Sequence, residues 1–141
     1  MNRYLRMVPK EASDELRSAA QRIADTIAAE AAGKARGLWP AARMVADSVR
    51  SRRDRVPVIA MGNQSRLPPH SSGRERRGAN QRVYNLMWGA EFGAANYPQF
   101  PAWTGNSKGS GYFLWPTVDE RSGWMMEQYS LALNRALQVA P

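Results

Sequence analysis

Apolar residues between positions 10 and 35 recur at helical spacing. Leu16, Ala20, Ile23, Ile27 and Ala31 fall on one stripe of a 3.6-residue repeat, which predicts a long helix with a shallow, alanine-rich face. Pro9 suits its first turn, Glu11, Asp14 and Glu15 favour the positive end of its dipole, and Gly33 and Gly37 mark its end. GLWP at 37–40 predicts a turn. Beyond it Val45, Asp47 and Val49 alternate with Ala46 and Ser48, predicting a hairpin, with a short helical start near Ala41 as the alternative. RSRRDR at 50–55 forms the tip and VPVIAMG at 56–62 the returning strand, which Pro57 assigns to an edge. Residues 63–80 are polar and rich in turn formers, and predict a surface loop that is mobile in the free protein. Residues 81–92 predict a short helix, with Val83, Leu86, Met87 and Ala90 on one face, and 93–111 a loop. GYFLW at 111–115 predicts a buried strand ended by Pro116, with Phe113 and Trp115 on one face and Tyr112 and Leu114 on the other. Thr117 and Glu120 have capping-box spacing for a final helix at roughly 118–138, with Val118, Met125, Tyr129, Leu133, Ala136 and Leu137 on one side.

These elements predict an α+β fold, a small antiparallel sheet packed by a long N-terminal and a long C-terminal helix, in a single domain over 1–141. The core candidates are Leu16, Ile23, Ile27, Phe113, Trp115, Met125, Tyr129, Leu133 and Leu137. A hydrophobic fraction of 43% is enough for a real core. No stretch approaches the roughly 20 apolar residues of a membrane span, and MNRYLRMVPKEASDELR lacks the apolar run of a signal peptide, so a membrane location is not expected.

Charge changes the picture in one place. The net charge is +8, and residues 50–82 supply +7 of it, with nine arginines against Asp54 and Glu75. Arginine is planar and bidentate, suited to carboxylate or phosphate partners. The segment lacks the interleaved aromatics of single-strand binders. Three readings stand: a solvated loop, a contact with an acidic protein surface, or a contact with nucleic acid. Arg50, Arg52, Arg53, Arg55, Arg74, Arg76 and Arg77 are the interface candidates.

The sequence predicts no catalytic, cofactor-binding or metal-binding residues. Cysteine is absent, which removes disulfides, thiolate metal sites and thiol chemistry. The single histidine, His70, sits in the polar loop without partner ligands. Asp119 and Glu120 are adjacent and point about 100° apart on a helix, a poor carboxylate pair. GNSKGSG at 105–111 has the wrong spacing for a phosphate-binding loop.

Residues 88–120 carry a resemblance. Trp88-Gly89-Ala90-Glu91-Phe92-Gly93, a Gly/Pro-rich loop, and then Tyr112-Phe113-Leu114-Trp115-Pro116-Thr117-Val118-Asp119-Glu120 resemble the neck or tail-completion proteins of long-tailed bacteriophages, also described as minor tail or head–tail connector components. That family carries an EFG triplet, a proline-containing loop, and an aromatic-Leu-x-Pro stretch leading into a C-terminal helix. The upstream order of helix, proline turn and hairpin fits as well. This chain departs in having Ala94 after EFG, Gly111-Tyr112 where the family has an arginine before its Pro-Phe pair, and the arginine-rich loop. The resemblance implies a structural virion protein, made in the host cytoplasm, that forms a six-fold ring with copies of itself at the head–tail junction. It implies no enzymatic activity and no cofactor. Its partners would be other neck, connector and tail-tube proteins, with contact to packaged DNA as a further possibility. Glu91, Phe92, Tyr112 and Leu114 join the interface candidates. The rival reading is a basic DNA-binding accessory protein acting through residues 50–82.

Overall fold

A computed structural model of the chain describes residues 10–65, 82–105 and 110–139. Among these are four helices and one two-stranded antiparallel sheet, in the order α1 (Lys10–Arg36), α2 (Pro40–Ala46), β1 (Arg50–Arg52), β2 (Val58–Ala60), α3 (Val83–Phe92) and α4 (Leu114–Val139). The fold is α+β, with the two long helices packed against each other and the hairpin against α1.

The α1–α4 pair is antiparallel, as its ion pairs record. Lys34 and Glu120 meet at 2.6 Å, Arg121 holds Glu30 through two bonds of 2.9 and 2.6 Å, and Arg135 approaches Glu15 at the far end. These pairs are exposed and contribute little individually. The seam itself is alanine. The buried face of α1 is Ala12, Ala19, Ala20, Ala24, Ala28, Ala31, Ala32 and Ala35 around Ile23 and Ile27, and the residues of α4 buried with it are Ala132 and Ala136. Small side chains allow close backbone approach, and that selects which side of α4 turns inward. Leu133 and Leu137 stand one residue, about 100°, beyond the two alanines. Both are exposed, which corrects the expectation that they belong to the core. Leu16, Met125 and Tyr129 are half-buried at the margins, while Ile23, Ile27 and Phe113 are fully buried.

The stretch after GLWP is helical where alternation predicts a strand. Trp39 is the N-cap of α2 and Pro40 occupies its first turn, where a missing N–H has no cost and a fixed φ favours the helix. Val45 is buried from this helix, beside Ala42, Ala46 and Val49. Strand pairing begins at Arg50, in the register Arg50↔Ala60, Ser51↔Ile59 and Arg52↔Val58. With two strands both are edges, so Pro57 just before β2 costs no ladder bond. Polar side chains attach the hairpin. Gln21 Nε2 donates to Ser51 Oγ at 2.7 Å, Ser51 donates to Asp25, and Ser48 Oγ donates to Val45 O at 2.6 Å while accepting the Gly62 N–H at 2.9 Å. Tyr129 Oη reaches from α4 to Arg55 O at 2.8 Å. The N-terminus of α3 is fixed to the chain following β2, with the Val83 and Tyr84 amides donating to Ser65 O and Asn63 O. Most of the expected loop at 63–80, including His70, lies outside the described residues.

GYFLW is not a strand. Residues 111–113 bend, and α4 begins at Leu114. Phe113 is completely buried, but Trp115 is 39% exposed and lies outside the core it was expected to join. Nor does Thr117 cap this helix. It lies one turn inside, buried, with Oγ1 donating back to Phe113 O at 2.6 Å, while Glu120 pairs with Lys34.

Candidate functional site

What starts α4 is a carboxylate from another helix. Glu91 is in the last turn of α3 and is fully buried. Its Oε2 accepts the amides of Leu114 at 2.9 Å and Phe113 at 3.3 Å, and its Oε1 accepts that of Trp115 at 2.8 Å. Its backbone carbonyl accepts the Tyr112 amide at 2.8 Å. The next residue, Pro116, has no N–H, and the Thr117 amide makes the first bond within the helix, to Phe113 O at 3.3 Å. Every free donor at the start of α4 is therefore satisfied by one residue or absent by sequence. The positive end of the helix dipole faces the same carboxylate.

Two opposed effects set the protonation of Glu91. Burial pushes its carboxyl above the ordinary value and is the larger effect, while the three amides pull it part of the way back. Gly111 makes the close approach possible. Its φ is +109°, and a Cβ there would collide with Oε1 of Glu91.

On the outer side of α3 the chain forms an open cleft of about 470 Å³, walled by Trp88, Phe92, Tyr97, Phe100 and Trp103. Trp88 stacks on Phe92 with ring centres 5.5 Å apart. Gly89 is the floor on which the Phe100 ring lies, with no space for a Cβ. The loop 93–105 is held against the end of α3 by its backbone. The Ala94 amide donates to Pro101 O at 2.9 Å and the Thr104 amide to Phe92 O at 2.8 Å, while Tyr112 Oη donates to Ala102 O at 2.6 Å. The cleft is thus preformed, yet Trp88 is 64% exposed and Tyr97 and Trp103 are each 60% exposed.

The interface candidates fall into three groups. Arg50, Arg52, Arg53 and Arg55 are exposed along the hairpin and its tip, and Arg53, Arg55, Arg17 and Asp54 border a hollow of about 330 Å³. Arg74, Arg76 and Arg77 lie outside the described residues. Glu91, Phe92, Tyr112 and Leu114 are brought together, but within the fold. Glu91 is consumed as a cap and Phe92 is buried beneath Trp88. Tyr112 sits edge-on to Trp39 at 4.7 Å, and Leu114 is half-buried against the core. The expectation that Glu91 and Phe92 face a partner is corrected accordingly, while Tyr112 and Leu114 keep part of their surface exposed. The exposed aromatics Trp88, Tyr97 and Trp103 were not singled out for an interface. The signal available for them was the aromatic density around the EFG triplet, with Trp88 three residues before it on α3 and Tyr97 and Trp103 in the proline-containing loop after it.

Comparison of the chain with family models, curated proteins and solved structures gives no match.

Among the described residues no helix is long and apolar enough to cross a membrane, and no group of acidic and histidine side chains is placed to hold a metal ion.

Proposed function

We propose that the chain is a structural ring subunit at the head–tail junction of a long-tailed bacteriophage, a neck or tail-completion protein that assembles with copies of itself and with its connector and tail-tube neighbours. The observation that carries this reading is how the two halves of the signature meet. The glutamate of EFG holds the backbone of the aromatic-Leu-x-Pro stretch 22 to 24 residues away. A signature that works in this manner specifies the shape of a subunit rather than a reaction. Beside it, tryptophan and tyrosine side chains remain exposed on a rigid surface, and these residue types supply the anchors of protein interfaces. In this reading the protein acts by packing, without catalysis or a cofactor, and resides in the virion.

The rival reading, a DNA-binding accessory protein, is favoured by the hollow between Arg17, Arg53 and Arg55. Native mass spectrometry and DNA titration of the purified chain separate the two. A discrete assembly of several copies, with only weak DNA affinity, supports the ring. A monomer whose DNA affinity falls steeply with salt, as counterion release requires, overturns it in favour of the accessory role.

A further inference from the structure

One helix face of this molecule has no covering among the described residues. Met126, Leu133 and Leu137 of α4 are 70%, 42% and 64% exposed. At about 100° per residue they fall, with Trp115, in one line within about 40°, roughly 100° around the helix from the alanine seam. They form an apolar ridge beginning about 17 Å and ending about 33 Å along the axis from Trp115. Trp115 is where the Glu91 clamp joins α4 to α3, so the ridge and the aromatic cleft on α3 are separate surfaces of one chain. The side chains lining the cleft carry no charge, and their polar atoms are the Asn85 amide, the Tyr97 hydroxyl and the indole N–H groups of Trp88 and Trp103. Such a lining suits an apolar ridge and offers no cationic side chain to a phosphate.

Building on the ring reading, we infer that the cleft of one copy receives the Met126–Leu133–Leu137 ridge of the next. The areas agree. Trp88, Tyr97 and Trp103 together with the ridge expose about 700 Å² of apolar side chain, taking roughly 200 Å² for a whole aromatic side chain and somewhat less for Leu or Met. Apolar atoms make up a little over half of a typical interface, so this corresponds to about 1,200 Å² in total, the lower end for a specific contact. Cleft and ridge are different patches, so the contact is heterologous and propagates from copy to copy, closing into a ring when the rotation per copy allows. The Glu91 clamp fixes that rotation. It ties the wall of the cleft to the first turn of the helix bearing the ridge, so the angle between the two half-interfaces is built into the monomer.

The test is complementation between two variants of the full chain. A ridge variant carries Leu133→Glu and Leu137→Glu, and a cleft variant carries Trp88→Gln. A second cleft variant, Trp103→Ser, guards against a local folding defect, and each variant is accepted only if its thermal midpoint matches that of the unmutated monomer. Copy number is read by native mass spectrometry. The inference expects the unmutated chain to form a closed assembly larger than a dimer, each variant alone to remain monomeric, and an equimolar mixture of ridge and cleft variants to stop at a 1:1 heterodimer. That last species arises because one intact cleft meets one intact ridge and neither chain can extend further. Full assembly by both variants, or a mixture that stays monomeric while the unmutated chain assembles, overturns this docking and leaves the ring reading in place. An unmutated chain that stops at a dimer overturns the heterologous contact, and one that never leaves the monomer overturns the ring reading as well.

Discussion

Replacing Glu91 is the perturbation whose effect follows most directly from the geometry. Glu91→Ala leaves the amides of Phe113, Leu114 and Trp115 without their acceptor in a site closed to water. Hydrogen bonds to a charged group contribute about 1.5–3 kcal/mol each. The carboxylate also carries a burial cost of several kcal/mol that its removal returns. Removing an N-cap at a surface costs about 1 kcal/mol, and breaking one side of a buried charged pair costs about 3–5 kcal/mol. The clamp belongs towards the second case, because three donors are stranded at once and the lost side chain leaves a void. The expected loss for Glu91→Ala is about 3 kcal/mol. Glu91→Gln keeps the shape and one carbonyl acceptor, but turns its amide N–H₂ towards at least one stranded donor, for a loss of about 1–2 kcal/mol. The assay is urea unfolding of dilute monomer, combined with amide hydrogen exchange. Exchange at both Leu114 and Trp115 should rise selectively in Glu91→Ala, and at one of the two in Glu91→Gln, since those amides bond different oxygens of the carboxylate and not helix carbonyls. A Glu91→Ala variant within about 0.5 kcal/mol of the parent, or one that leaves those two amides protected, would refute the capping argument.

Further consequences concern pH, backbone and seam. Because burial raises the folded carboxyl above its unfolded value, Glu91 contributes most below the ordinary carboxylate range and loses that contribution as pH rises through its folded value; the stability gap between the parent and Glu91→Gln should therefore be wider at pH ~4 than at pH ~8, and a gap that narrows on acidification contradicts this. Gly111→Ala combines a left-handed backbone with a collision against the Glu91 carboxylate, so a loss of at least about 2 kcal/mol is expected by thermal or urea unfolding. Ala136→Leu forces the α1–α4 seam apart at a cost of about 1–3 kcal/mol, whereas Leu137→Ala, one residue on, should leave the monomer within about 0.5 kcal/mol; equal effects in unfolding midpoint would show that the wrong face of α4 had been assigned to the seam.

The parts of the fold that local rules control were legible in the sequence. The 3.6-residue stripe of Leu16, Ile23 and Ile27 gave α1 to within a residue of Lys10–Arg36, and the polar RSRRDR run marked the hairpin and its exposed arginines, although its first three residues are strand β1 and the tip lies at 53–57. Errors arose where distant chain decided the outcome. Tyr112–Trp115 has strand composition, yet enters a helix because an acceptor more than 20 residues upstream satisfies its amides. No local cap signal records that arrangement. The face of α4 was misassigned because periodicity weights side-chain size, so Leu133 and Leu137 outranked Ala132 and Ala136. The alanines of α1 reverse that order by rewarding close approach. Glu91 was singled out as part of a motif without its role. The clue present was an acidic residue between Ala90 and Phe92 in an otherwise apolar helix with no basic partner nearby. The cleft was not legible, since Trp88, Tyr97, Phe100 and Trp103 converge only after the loop folds back through backbone bonds to α3.

The most direct measurement of the central claim is head–tail joining by particles made without this chain. If the protein is the junction subunit, such preparations contain separate filled heads and finished tails, and adding the purified chain restores joined, infectious particles as counted by electron microscopy and plaque titre. Heads and tails that join at the normal yield in its absence would contradict the account.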